Sequence, residues 1–228
     1  MKKEKEKLGA TGFSIEYWDV NYKDADEMDN IVNAKEHATY IKAILGLEYI
    51  DVSSVVDLGF GLGILFKEVL KIFQPYRALG IEPSLHPFEL MSKKKLTSIE
   101  STKLSLENID LVTWAKKENT KTTARHKTFD LGICTSVFQY LSDEEIEFVL
   151  PIMAKRIRYL YFSVPTNLEL RRQIEDLEFK DEYAIHRTRE KYLKMIRPHF
   201  TFVSSRLLES KIHFTDETTN FTDLLFRF

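Results

Sequence analysis

The stretch Val55-Val56-Asp57-Leu58-Gly59-Phe60-Gly61-Leu62-Gly63 limits what this chain can fold into more than any other part of it. Ser53 to Leu58 is short, apolar and rich in β-branched residues, so it reads as a buried strand rather than a helix. The residues that follow, Ile64 to Phe73, put Leu65, Val69, Ile72 and Phe73 on one helical face. Three glycines lie between the two. They let the backbone turn tightly and let a ligand come close where a Cβ would collide. Strand, glycine turn and helix in that order form the nucleotide-binding corner of a doubly wound α/β sheet.

The spacing of the glycines narrows the choice of nucleotide. The dinucleotide fingerprint G-x-G-x-x-G, set on Gly59 and Gly61, needs glycine at position 64, where this chain has Ile64. The chain reads D-x-G-x-G-x-G instead, with Asp57 two residues before the first glycine. A second acid, Glu82, closes the apolar run Ala78-Leu79-Gly80-Ile81. A carboxylate at the tip of that neighbouring strand can accept both hydroxyls of a ribose. A glycine turn alone fits many α/β proteins; the turn with Glu82 favours a cofactor site.

These stretches resemble the class I S-adenosylmethionine-dependent methyltransferases. Asp57 to Gly63 is similar to their first motif, and Gly80-Ile81-Glu82-Pro83-Ser84 to their second. The resemblance implies a Rossmann-like, doubly wound α/β fold. Its sheet has seven strands, mostly parallel with an antiparallel C-terminal strand, and helices on both faces. It also implies S-adenosylmethionine as cofactor and S-adenosylhomocysteine as product. The backbone of Gly59, Gly61 and Gly63 would hold the methionyl part, and Asp57 would fix the turn and the amino end. Glu82, with Pro83 and Ser84, would bind the ribose. Glu107 or Asn108, ending the run Lys103-Leu104-Ser105-Leu106, would meet the adenine amino group, and Thr135 and Ser136 would lie beside the methionyl group.

Composition bounds the rest. A chain of 228 residues with 43% hydrophobic and 30% charged residues is long enough for one well-buried domain. We expect residues 47–228 to form the cofactor-binding core and residues 1–46 an N-terminal helical and aromatic extension. A formal charge of −2 gives no field to draw the protein to DNA or to an anionic membrane. The single cysteine, Cys134, has no internal partner and lies in an apolar run, which suits a reducing, cytoplasmic setting. Lys2 to Lys7 has no apolar segment behind it, so no secretory signal is read.

Taken in order, the aromatic stretch Tyr17-Trp18-Asp19-Val20-Asn21-Tyr22 reads equally as a lid over the cleft or as a cap on the core. On the lid reading Tyr17, Trp18 and Tyr22 touch substrate. Ile31, Ala34, Ala38, Ile41 and Leu45 form one helical stripe, with Gly46 placed to end it and His37 at its flank. Lys116 to Thr128 is polar and reads as loop. Phe129 to Cys134 and Tyr159 to Val164 read as strands. Ser142-Asp143-Glu144-Glu145 and Thr166-Asn167-Leu168-Glu169 read as capping boxes, and Pro151 is expected to kink or interrupt the helix after the first. Phe200 to Leu208 and Asp223 to Phe228 read as two closing strands.

The turn after the fourth strand narrows the reaction further. Amino-group methylases of bases carry an Asn/Asp-Pro-Pro-aromatic motif there, and this chain has Thr135-Ser136-Val137-Phe138. Cytosine-carbon methylases need Pro-Cys, and Cys134 follows Ile133. Metal-dependent relatives place acids in this turn; none occurs before Asp143, and the six histidines lack ligand spacing, so no metal is expected. The resemblance leaves an O, N or S nucleophile of a small molecule, with a protein or RNA acceptor also open. Gln139 and Tyr140 would line its site. His186 is the first candidate for a general base, with His213, between the closing strands, as the second. A catalytically inactive methyltransferase-like binding protein stays open at this point, as does, less readily, a nicotinamide-dependent oxidoreductase. Because Ile64 replaces the dinucleotide glycine, calorimetry is expected to show binding of S-adenosylhomocysteine and none of NAD; the opposite result overturns the resemblance.

Overall fold

The computed structural model describes residues 33–93, 102–120, 128–177 and 181–223, together with positions 179, 225, 227 and 228. The aromatic stretch with Tyr17, Trp18 and Tyr22 lies outside the described residues. The described chain begins with α1 (Ala34–Leu47), whose buried residues Ala34, Ala38, Ile41 and Leu45 are the stripe legible in the sequence. The helix runs past Gly46 and stops at Leu47; Tyr49, with φ 55°, supplies the left-handed turn instead.

After α1 the chain alternates between strand and helix. The elements are β1 (Ser54–Leu58), α2 (Ile64–Phe73), β2 (Arg77–Ile81), α3 (Leu85–Lys93), β3 (Lys103–Glu107) and α4 (Leu111–Thr120). Next come β4 (Phe129–Thr135), a single 3-10 turn (Phe138–Tyr140), α5 (Asp143–Arg156), β5 (Ile157–Ser163), α6 (Asn167–Leu177) and α7 (Arg189–Ile196). The hairpin strands β6 (Phe200–Phe202) and β7 (Leu207–Ser210) close the sheet. The seven strands lie in the order β3-β2-β1-β4-β5-β7-β6. All neighbours from β3 to β5 pair in parallel, and β7 is antiparallel to both β5 and β6. The order reverses between β1 and β4, which opens a crevice at their carboxyl ends.

β1 is buried at every position, and its side chains alternate between two apolar layers. Val56 and Leu58 join Trp114 of α4, Ile146 and Met153 of α5, and Ile196 of α7. Val55 joins Ile41 and Leu45 of α1, Phe66 and Leu70 of α2, and Met91 of α3. Each such large side chain taken out of water contributes about 1.5–3 kcal/mol. No helix among the described residues is long and apolar enough to cross a membrane.

Four details differ from the sequence reading. The inward face of α2 is Phe66, Val69 and Leu70; Leu65, Ile72 and Phe73 are only partly buried, because α1 packs along the flank of α2 as well. Residues 116–120, read as loop, are the last turns of α4. Asp110 starts that helix by accepting from the Thr113 amide at 2.7 Å, and Leu111, Trp114 and Ala115 bury one side. The polar end is held by ion pairs, Arg156 with Glu118 at 2.8 Å and Lys117 with Glu107 at 3.0 Å. α5 passes through Pro151 without a break. A complete Ser142–Glu145 capping box and the burial of Ile146, Val149, Leu150 and Met153 outweigh the one amide a proline lacks. Finally, Phe200 to Leu208 is a hairpin, because Ser204 turns the chain and its hydroxyl accepts the Leu207 amide at 3.1 Å. Asp223 to Phe228 forms no strand among its described residues, and only Phe228 pairs, through two backbone bonds to Phe202.

Packing at the sheet centre is tight enough to test. A Cβ at Gly132 of β4 would stand 2.8 Å from both Cδ1 and Cγ2 of Ile157. Gly132→Ala is therefore expected to destabilise by about 1–3 kcal/mol through overpacking, read as a lower thermal midpoint.

Candidate active site

Three loops meet at the carboxyl ends of β1, β2 and β4. The first carries the glycines. Gly59, Gly61 and Gly63 have φ of 109°, 52° and 71°, conformations that side chains other than glycine rarely adopt. The amides of Gly59 and Phe60 donate to the Ile81 carbonyl at 2.9 and 3.2 Å, so the loop stays zipped to the end of β2. A Cβ on Gly59 would meet Val137 Cγ2 at 2.6 Å, and one on Gly63 would meet Met91 Sδ at 2.7 Å. Two of the three glycines thus answer to the protein's own packing as well as to a ligand's approach.

Two carboxyl groups sit beneath this loop. Asp57 is 3% exposed, and no hydrogen bond or ion pair reaches its side chain among the described residues. Burial first, and the Glu82 charge second, hold its carboxyl well above the usual range. Glu82 is also buried, yet it is well partnered: Oε2 accepts the Gly61 amide at 2.8 Å and Oε1 accepts the Ser84 amide at 2.9 Å. Burial raises its pKa while these amides pull it down. The sequence reading gave Glu82 to a ribose alone; here it already ties the loop after β1 to the loop after β2. Each oxygen keeps a second acceptor position.

The adenine candidates divide. Asn108 Nδ2 donates to the carbonyls of Glu82 and Pro83 at 2.8 and 3.0 Å, which shapes the loop after β2. Glu107 turns outward to Lys117. The turn after β4 is held more firmly. Ser136 has φ 55° and donates its amide to the Ser163 carbonyl at 3.0 Å, while Thr135 pairs with Ser163 in register. Gln139 is 2% exposed, its Oε1 has no partner among the described residues, and its carbonyl accepts the Ile185 amide at 2.7 Å. Tyr140 donates its hydroxyl to Asp181 at 2.7 Å.

Sequence reasoning missed Arg187. Its buried guanidinium donates to Asp143 Oδ1 at 2.8 Å and to the carbonyls of Phe138 and Leu141 at 3.2 and 2.5 Å. It thereby clamps both ends of the 3-10 turn. The only signal for it in the sequence is its place beside His186 and one residue ahead of Thr188, whose side chain caps α7. His186 itself is exposed, in the segment that Ile185 and Arg187 stitch to this turn. His213 is a correction: it follows β7 rather than lying between the closing strands. Its Nε2 is 3.1 Å from the Lys155 carbonyl, just before β5 begins. That is the amino edge of the sheet, opposite the crevice.

No protein-family model matches the chain, and no curated protein matches it in sequence. In three dimensions the fold is that of the class I S-adenosylmethionine-dependent methyltransferases. The plantazolicin methyltransferase BamL, solved with a triazolic desmethyl-plantazolicin analogue and S-adenosylhomocysteine, superposes with a TM-score of 0.64 at 15% identity, over 94% of this chain and 81% of its own. An S-adenosylmethionine-dependent methyltransferase from Clostridium acetobutylicum gives 0.58 at 11% identity, over 86% and 96%. The magnesium protoporphyrin IX methyltransferase of Synechocystis, with bound S-adenosylhomocysteine, gives 0.55 at 18% identity, over 89% and 95%. At these identities the likeness is one of fold.

Asp57 yields a prediction of its own. Its folded pKa lies above its unfolded value, so the native state keeps a proton that the unfolded chain releases. Its contribution to stability is fully present below the unfolded value and is lost as pH climbs toward the raised one. Asp57→Asn removes that loss. The variant is expected to melt higher than wild type in the absence of ligand at pH 8. The gap should shrink as pH falls, and thermal unfolding across a pH series checks it.

Proposed function

We propose that the protein is an S-adenosylmethionine-dependent methyltransferase that moves a methyl group to an O, N or S nucleophile of a small molecule by in-line displacement. One observation carries the reading. Asp57 is a buried carboxyl beneath a glycine loop with no partner among the described residues, next to a second acid with acceptor positions to spare. Such a group is costly in the free protein and becomes favourable once a cationic ligand neutralises it. When bound there, S-adenosylmethionine supplies a methyl group made electrophilic by a sulfonium.

This chain's residues would supply orientation and shielding. Asp57 would take the amino end of the methionyl part, and the backbone of Gly59 to Gly63 would hold it. Glu82, flanked by Pro83 and Ser84, accepts the ribose hydroxyls at its two remaining positions. Asn108, more than the outward-turned Glu107, is suited to the adenine, through its carbonyl oxygen. Thr135 and Ser136 border the transferred group. Gln139, whose buried Oε1 awaits a donor, and Tyr140 face the acceptor, and the Arg187 clamp keeps their turn rigid, so the reacting atoms are held close and water is kept out. For a hydroxyl acceptor, His186 on the adjoining segment is the base. The solved neighbours are named for unlike acceptors, plantazolicin and magnesium protoporphyrin IX, so the acceptor of this chain is to be sought in its own residues.

Calorimetry with S-adenosylhomocysteine tests the reading. At a pH where Asp57 is protonated in the free protein, the ammonium of the ligand should drive a proton off. Binding heats should then vary with the ionisation heat of the buffer, and Asp57→Asn should abolish that variation. Glu82→Gln should weaken binding about tenfold or more through lost charge-assisted hydrogen bonds. Because Glu82 also ties two loops, that variant should melt lower without ligand as well. Absence of S-adenosylhomocysteine binding to wild type would sink the proposal.

A further inference from the structure

A second polar cluster stands at the same edge of the sheet, away from the residues assigned above. Tyr161 of β5 is 1% exposed, its hydroxyl lies 2.5 Å from His37 Nδ1 on α1, and Arg206, the residue before β7, stands close to it. Arg206 NH1 is 3.5 Å from the His37 ring, and Tyr40 of α1 donates to Ser204 in the β6–β7 turn at 2.8 Å.

The charge at this place is unbalanced. Arg156, Arg187 and Arg227 each meet a carboxylate, from Glu118, Asp143 and Glu209. Arg206 is half-buried and meets only a tyrosine and an imidazole, with no carboxylate paired to it among the described residues. The imidazole adds no charge of its own, since burial and the Arg206 cation hold His37 below its ordinary range. A guanidinium has five donors in a flat fork suited to a carboxylate, and neutral neighbours leave most of them unused.

Position gives the cluster its meaning. Asp57 pairs with Ile133, Ile133 with Tyr161, and Tyr161 with Leu207, so one cross-strand row runs from the candidate cofactor acid to the residue next to Arg206. Asp57 and Tyr161 face the same layer, two strand spacings apart, roughly 10 Å.

Resting on the methyltransferase reading, we infer that Arg206, with Tyr161 and His37, binds a carboxylate of the methyl acceptor and fixes its orientation toward the transferred group. A monoanionic carboxylate matches this place better than a phosphate does. Among the described residues one cation touches the cluster, and Glu36 lies close enough to His37 to oppose a dianion more strongly than a monoanion.

Benzoate and its neutral isostere benzamide serve as probes, titrated against the Arg206 Nε–H resonance by NMR. The titrations are run with and without S-adenosylhomocysteine, whose own binding is followed by calorimetry, so failure of the anion site and failure of the cofactor reading register separately. Benzoate is expected to shift the resonance saturably and benzamide to bind at least about tenfold more weakly. Arg206→Met should weaken benzoate, followed on neighbouring amides, by about the same factor while S-adenosylhomocysteine binding holds. Arg206→Gln, neutral yet able to reach Tyr161, gives the same reading if the methionine variant does not fold. No saturable response to benzoate, equal response to benzamide, or undiminished benzoate binding in the neutral variants overturns the proposal.

Discussion

The Glu82 carboxylate holds two loops at once, and the shape of the crevice depends on it. One oxygen takes the amide of Gly61 from the loop after β1, and the other takes the amide of Ser84 from the loop after β2. Burying a charge is costly unless hydrogen bonds replace its water. At Glu82 two amides do so. At Asp57, one strand away, no group among the described residues does. The fold thus compensates one acid in part and leaves its neighbour without a partner among the described residues. That imbalance is expected where a ligand, rather than the protein, completes the set.

The other wall of the crevice rests on longer-range contacts. The turn after β4 contains Ser136 at φ 55°, a conformation costly for a residue with a side chain. It is held by the Ser163 carbonyl on one side and by the Arg187 fork on the other. Arg187 is anchored in turn by Asp143, which is also paired to Lys191. These partners pull the Asp143 carboxyl below its ordinary range, so the anchor stays ionised at neutral pH.

How much could be read beforehand depended on how far apart the partners lie in the chain. The strand–glycine–helix corner, the strand that Glu82 follows, and the cap at Ser142 are local patterns, and each formed where the sequence placed it. α4 was hidden because its apolar face is only Leu111, Trp114 and Ala115, while its polar half is satisfied by Arg156 and Glu107 from elsewhere. The α2 face was misjudged because α1 covers a flank that sequence periodicity treats as solvent. Of the site, Asp57 and Glu82 were legible from their place at strand ends. Arg187 reaches Asp143 across 44 positions, and Arg206 reaches His37 across 169, so neither showed a local signal.

The strand order also governs the sequence in which the sheet can be completed. β6 leaves the ribosome before β7, yet β7 is the one that pairs with β5, and β6 lies outside it. Until Leu207 to Ser210 have emerged, β6 has no edge to join, and β5 keeps an open row of unpaired amides and carbonyls beside Tyr159 and Tyr161. A chain paused before residue 207 would hold a nearly finished sheet with one sticky edge, a state open to pairing with another copy. Arg206 stands next to Leu207, so the segment whose emergence closes that edge also carries this cation to His37.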